Sequence, residues 1–251
     1  MHRFYLPPDR ARGKTLTLTD REAHHALHVL RVRAGERVAV LDGAGRELMC
    51  VAETPARDEL PMTVTQENVV PPLPYRVTLL QAVPKGKIIE SIIQKAVELG
   101  VHRIVPLLSD RVLTQLDDRA AAARAEDWRG IAIEAIKQCG SAWLPTIDVP
   151  ITPKNFLARN EKFELPLIGS LQDDRRHPRE YFQTFQKEHG RIPGTVCVWV
   201  GPEGDFTPAE LNAVKSSGAL PITLGRLVLR SETAAIYALS VINYELQANP
   251  A

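Results

Sequence analysis

Apolar and polar positions along this chain follow two different periods, and the change between them falls near residue 70. Before it, apolar residues come in short runs separated by turn-forming residues. Arg37–Leu41 and Glu47–Ala52 flank Asp42-Gly43-Ala44-Gly45, which predicts two strands joined by a glycine-containing hairpin turn. One helix start is predicted at Thr19-Asp20-Arg21-Glu22, a capping box in which Thr19 and Glu22 would satisfy each other's free amides. Val69-Val70-Pro71-Pro72-Leu73-Pro74 then sets three prolines within four positions. Neither a helix nor a central strand accommodates that spacing, so a stiff extended connector is expected. It divides the chain into a small β-rich domain, residues 1–70, and a larger one, residues 71–251.

Beyond the connector, strand-like runs alternate with helical stripes. Arg76–Ala82 reads as a strand, and residues 87–99 place Ile88, Ile92 and Ala96 beside Ile89, Ile93 and Val97 at helical spacing. Gly100 stands where a helix ends, and His102–Leu107 returns as a strand, which makes a βαβ unit with parallel strands. A long helix is predicted over Arg119–Cys139. Leu165–Ile168, Val196–Val200 and Leu220–Leu224 are further strands, Thr207-Pro208-Ala209-Glu210 is a second capping box, and Ser231–Gln247 is the last helix. The pattern is that of an α/β domain on a mainly parallel sheet.

Composition narrows the class without deciding it. The chain has 251 residues, 44% hydrophobic and 24% charged, as in an ordinary globular protein. No run approaches the roughly 20 apolar residues of a membrane span. The N-terminus MHRFYLPPDRARGK has charge and proline where a signal peptide has an apolar core, so a cytoplasmic protein with no membrane partner is expected. Cys50, Cys139 and Cys197 are widely spaced and odd in number, which points to small buried hydrophobes and not to disulfides or zinc. Residues 1–46 carry nine Arg or Lys against five Asp or Glu, while 47–70 carry one against five. That asymmetry leaves room for a basic face that meets phosphate.

Candidate chemistry sits at two strand ends. Val196–Val200 runs into Gly201-Pro202-Glu203-Gly204, and Leu220–Leu224 runs into Gly225 and the segment Arg226-Leu227-Val228-Leu229-Arg230-Ser231-Glu232-Thr233. Open parallel sheets bind ligands beyond the carboxyl ends of their strands. Glycine there lets backbone approach a ligand closely, offering bare N–H and C=O groups to an edge such as that of adenine. The same glycines also suit plain strand-to-helix turns. Neither a P-loop nor G-x-G-x-x-G is present. His24 and His28 stand one turn apart, but without the glutamate of a His-Glu-x-x-His pair or a third ligand they read as a helix surface, and no metal is expected.

Five stretches together resemble one family, the ribosomal RNA small subunit methyltransferase E family of the SPOUT class. They are HHALHVLRVRAGERV (24–38), KGKIIESIIQKAVELGV (85–101), IAIEAIKQCG (131–140), VGPEGDFT (200–207) and LGRLVLRSETAA (224–235). They span almost the whole chain in the family's order. The resemblance implies a PUA-like RNA-binding domain followed by a SPOUT-type domain with a C-terminal trefoil knot. It implies a homodimer that uses S-adenosylmethionine to methylate N3 of one uridine in the 16S rRNA of the small ribosomal subunit. It places the methyl donor against Trp199, Val200, Gly201, Pro202, Glu203 and Gly204, against Leu224, Gly225, Leu229 and Arg230, and near Ser170 and Leu171. Two positions depart from the family pattern: Lys87 stands where an acid is common, and Leu227 where arginine is frequent, with Arg226 one place earlier.

Methylation at N3 requires loss of the N3 proton, alignment with the donor methyl and a base turned out of its stack. A cation near the developing uracil anion would help. Arg230 is the leading candidate, Glu232 would accept the proton or orient that arginine, and Arg3 would hold the base or its phosphate. Arg230 and Glu232 also suit a plain helix entry. The other functions that remain open are a SPOUT methyltransferase acting on a tRNA or a ribose hydroxyl, and a non-catalytic RNA-binding or assembly protein. A metal hydrolase built on His24 and His28 is a further alternative.

Overall fold

The computed structural model describes residues 1–112 and 116–247, and the chain in it forms two compact units. The first comprises Met1–Pro72 together with Ile133–Leu144; the second comprises Leu73–Ala132 and Pro145–Ala251.

The first unit is a five-stranded sheet of order β1-β3-β4-β5-β2, built from β1 (His2–Tyr5), β2 (Thr15–Leu18), β3 (Arg37–Leu41), β4 (Arg46–Ala52) and β5 (Leu60–Val69). β1 runs parallel to β3 and the remaining pairs are antiparallel. Strand alternation sends Leu48, Cys50 and Ala52 inward from β4, where they meet Phe4, Leu16, Leu18, Val38, Val40, Leu60 and Met62. The β3–β4 hairpin is pinned by the buried Asp42, whose Oδ1 accepts the N–H groups of Ala44 and Arg46 while Oδ2 pairs with the Arg46 guanidinium at 2.7 Å.

The capping box expected at Thr19 does not form. Helix α1 (Asp20–His24) begins with Asp20 at φ 51°, and the Thr19 hydroxyl turns to the Asp20 carboxylate. Glu22 is drawn away to the Tyr5 N–H at 3.1 Å and to Lys137 Nζ at 2.8 Å. A buried ammonium and a strand amide outcompete the helix's own first turn. α1 continues as a π-helical turn, His25–Val29. The three cysteines also divide: Cys50 and Cys197 are buried, but Cys139 is exposed at the end of helix α3 (Asp118–Cys139).

The second unit carries a six-stranded sheet of order β11-β9-β10-β6-β7-β8, with every paired neighbour parallel. Its strands are β6 (Arg76–Ala82), β7 (Arg103–Leu107), β8 (Thr146–Ile147), β9 (Leu165–Gly169), β10 (Thr195–Val200) and β11 (Leu220–Ile222). Helix α2 (Ile88–Glu98) connects β6 to β7 and buries Ile89, Ile92, Ile93, Ala96 and Val97, the stripe expected from spacing. Helix α4 (Pro153–Ala158) precedes β9, α5 (Pro178–His189) joins β9 to β10, and α6 (Pro208–Ser216) joins β10 to β11. The closing helix α7 (Ser231–Gln247) returns to pack on α2, β6 and β10. β11 is shorter than its apolar run: Thr223 leaves the sheet, giving its N–H to the Arg176 carbonyl at 2.9 Å. Among the described residues no helix is long and apolar enough to cross a membrane.

Candidate functional site

β9, β10 and β11 lie side by side and parallel, so the loops after them converge at one edge of the sheet. There they enclose a cavity of about 220 Å³. Gly169, Ser170 and Leu171 come from the end of β9 and its loop, and Val200, Gly201, Pro202, Glu203 and Asp205 from the end of β10 and its loop. Thr223 to Leu229 follow β11, and Ser231 and Ala234 close the cavity from α7. This is the carboxyl-end crevice in which open α/β sheets hold ligands.

Each loop is held by its own hydrogen bonds. Ser170 donates its N–H to the Ile222 carbonyl at 3.1 Å, and its hydroxyl accepts the Gln172 N–H at 3.1 Å. Arg175, also at the cavity wall, donates to the carbonyls of Leu171 and Gln172. In the second loop Asp205 adopts φ 61° and donates its N–H to the Pro202 carbonyl at 2.9 Å, a tight turn that brings its carboxylate back towards Gly201. A Cβ on Gly201 would lie 3.0 Å from Asp205 Oδ1 and 3.3 Å from the Phe206 backbone nitrogen, so glycine is what the turn accommodates. Arg111 holds the same loop from outside through the Gly204 carbonyl. In the third loop the Thr223 hydroxyl accepts the Gly225 N–H at 3.2 Å, and Gly225 itself sits at φ 109°.

Most of the residues expected at a donor site meet at this cavity: Ser170, Leu171, Val200, Gly201, Pro202, Glu203, Leu224, Gly225 and Leu229 line it. Three do not. Trp199 is buried behind the wall, edge-on to Phe156 and Phe206, where it supports the loop from the core. Gly204 faces Arg111. Arg230 is exposed, and its carbonyl accepts the Ala234 N–H at 2.8 Å as the first turn of α7 begins. Among the described residues no ion pair joins Arg230 to Glu232, which is half-buried in the same turn. Arg3 belongs to the first unit, where its guanidinium lies over Gly140 and reaches the carbonyls of Gln138 and Lys137 only at 3.4 and 3.5 Å.

Sequence reasoning missed Arg175, Asp205 and Thr223. Asp205 follows the glycine loop directly and its position was a usable signal; nothing in the local sequence marks Arg175. Among the described residues no group of three or more His, Cys, Asp or Glu side chains is placed to hold a metal. The His24 and His28 rings simply stack, tilted, with centroids 4.9 Å apart.

A parallel sheet with a three-loop crevice, in a chain that also carries a small β-rich unit, defines a class, and comparison with known proteins specifies it. Residues 71–243 match the RNA methyltransferase domain family, and residues 18–57 match the RNA methyltransferase PUA domain. The chain is 30% identical over 253 residues to ribosomal RNA small subunit methyltransferase E of Bacillus subtilis, covering 98% of both chains. Its structure superposes with a TM-score of 0.86 on a methyltransferase of Legionella pneumophila solved with its bound cofactor SAM, at 32% identity over 98% of this chain and 96% of that one. A ribosomal RNA small subunit methyltransferase E of Neisseria gonorrhoeae, solved bound to S-adenosyl methionine, gives 0.83 at 30% identity over 96% of each chain. The chain belongs to the ribosomal RNA small subunit methyltransferase E family.

Proposed function

We propose that this protein transfers the methyl group of S-adenosylmethionine to N3 of a specific uridine in the 16S rRNA of the small ribosomal subunit. The observation that carries the reading is the cavity walled by the three strand-end loops. Its wall suits that donor. Leu171, Pro202, Leu224 and Leu229 offer an apolar lining for an adenosine, and a Cβ on Gly225 would meet open space, so backbone is exposed there. Glu203 and Asp205 supply negative charge for a sulfonium or ammonium group, and Arg175 supplies a cation on the same wall for a carboxylate. When bound, the donor provides an electrophilic methyl on a positively charged sulfur.

The protein's own part is to bind the base, orient it and manage one proton. Arg230 stands beside the cavity loop with no side-chain partner among the described residues, so its charge is available to a uracil losing its N3 proton. Glu232, one residue beyond Ser231, is the candidate proton acceptor. Arg3, at the end of α3 in the first unit, is assigned to the RNA backbone or base. The first unit, residues 1–70 in the sequence division, is assigned to RNA binding.

A homodimer and a trefoil knot belong to the same proposal. Leu227 and Val228 are 79% and 77% exposed, and Tyr237 and Tyr244, two helical turns apart on α7, are also exposed. Leu227 and Val228 line the cavity, and exposed apolar side chains there and along α7 suit a second copy of the chain. The path from β11 back across the ends of β9 and β10 to α7 is the one a knotted loop would follow. We place the protein in the cytoplasm, where its proposed substrate assembles.

The test is methylation of small ribosomal subunits from a strain lacking this gene, with labelled donor and mass mapping of the modified nucleoside. N3-methyluridine at one site of 16S rRNA is expected. Methyl on another RNA would discard the specificity and keep the donor site. Failure to bind donor would leave an RNA-binding or assembly protein.

A further inference from the structure

Gln81 is fully buried in β6 among Leu79, Leu80 and Ala82, and stands beside Val200 in the sheet register. Its amide donates from Nε2 to the Ala82 carbonyl at 2.8 Å and to the Ser231 hydroxyl oxygen at 2.9 Å. Turning the amide over would set Oε1 against the Ala82 carbonyl, acceptor facing acceptor, so the orientation is fixed. With an N–H already pointing at its oxygen, the Ser231 hydroxyl directs its proton the other way, to the Gly201 carbonyl at 2.7 Å. Ser231 is itself buried, 4% exposed. Three groups thus form one directed chain from the sheet, through the first residue of α7, to the first residue of the glycine loop.

Among the described residues, Gln81 Oε1 has no hydrogen-bond partner in this arrangement. A buried acceptor left unmatched is destabilising, and an apolar side chain of similar shape would avoid it. A glutamine here is accounted for by what its N–H groups do.

We propose that Gln81 and Ser231 are positioning residues for the methyl-donor site. Ser231 ties the Gly201 carbonyl to the start of α7, and Gln81 acts through Ser231 by aiming its hydroxyl. The link turns the Gly201 carbonyl into the protein and leaves Pro202, Glu203 and Asp205 to face the cavity. It also sets Arg230, the residue before Ser231, relative to that loop. The proposal rests on the reading of the cavity as a donor site.

The experiment compares the full-length protein with Ser231→Ala, Gln81→Leu and the double variant. Three quantities are measured: affinity for S-adenosylmethionine by calorimetry, the KM for RNA, and amide exchange of Glu203–Asp205 without ligand. Ser231→Ala is expected to raise the donor Kd roughly 5–10-fold, and Gln81→Leu roughly 2–5-fold. The double variant should be no weaker than Ser231→Ala alone, because one residue acts through the other. Exchange at Glu203–Asp205 should quicken, while residues 169–172 and the RNA KM stay unchanged.

Multiplying effects, or an unchanged Kd with unchanged exchange, would overturn the proposal. If Ser231→Ala does not fold, Gln81→Leu, which keeps the volume, decides it by the same exchange measurement. Wild-type protein that binds no donor would overturn the functional reading itself; a wild type that binds donor beside indifferent variants would overturn only the link.

Discussion

Arg230 and the cysteines show how position, more than residue type, decides reactivity. Arg230 is exposed at the mouth of α7, and its side chain has no partner among the described residues, unlike Arg103, which is locked between Asp148 and Glu161. A free guanidinium beside a ligand cavity can respond to charge that appears during a reaction. Arg230→Ala should therefore lower kcat by roughly 10²–10³-fold while the donor Kd changes little; single-turnover kinetics with calorimetry on the same protein would show it. Full turnover would remove Arg230 from the reaction. The thiols follow the same logic. Burial pushes Cys197 up to about 12 and Cys50 up to about 11, so neither forms a thiolate near neutrality. Cys139 is exposed. A water-soluble thiol reagent at neutral pH should label Cys139 alone in the folded protein, and Cys139→Ser should abolish labelling; modification at Cys197 would mean that the sheet opens.

Among the elements, the two predicted capping boxes had opposite outcomes, and the difference is tertiary. At α6 the Thr207 hydroxyl accepts the Glu210 N–H at 3.3 Å, and Glu210 Oε2 accepts the Thr207 N–H at 2.9 Å. Oε2 stays with Thr207, while Oε1 is left to take the Asp110 N–H at 2.9 Å. Thr207→Ala should lower stability by about 1 kcal/mol, and Glu210→Ala by more, since two backbone amides lose their acceptor. Thermal unfolding of both variants checks the order, and a smaller loss for Glu210→Ala would contradict it. At α1 the same sequence signature failed because Glu22 had stronger partners far along the chain, Lys137 among them. Elements that rest on local period were legible: α2, β3, β4, β6 and the start of α7 fall where the apolar spacing puts them. β5 was not, because only Leu60 and Met62 of its ten residues are buried, with Val64 partly so, and Thr65–Asn68 is a polar run that carries no core-facing pattern. The box at α5, with His177 as the capping residue and Glu180 answering it, is also invisible to rules that look for Ser, Thr, Asp or Asn.

For the whole molecule, apolar periodicity reveals an α/β layout and the glycine-marked strand ends, but strand order lies beyond it. That β10 sits between β9 and β6, bringing three loops together, follows from long-range pairing that no local window contains. The proposed division of labour then makes a distinction that can be measured. Lys14 and Arg33 are exposed in the first unit, and neither side chain has a hydrogen-bond or ion-pair partner among the described residues. If that unit holds RNA through phosphates, each such cation displaces counterions when RNA binds. Lys14→Gln with Arg33→Gln should then weaken RNA binding and reduce the slope of log K against log salt by about 0.7–0.9 for each phosphate no longer neutralised. Donor affinity should not move, because the cavity proposed for the donor is lined entirely by residues of the second unit. A variant with an unchanged salt slope would place the RNA-binding cations on another face. A variant with weakened donor affinity as well would show that the two activities are coupled through the chain and not divided between its units.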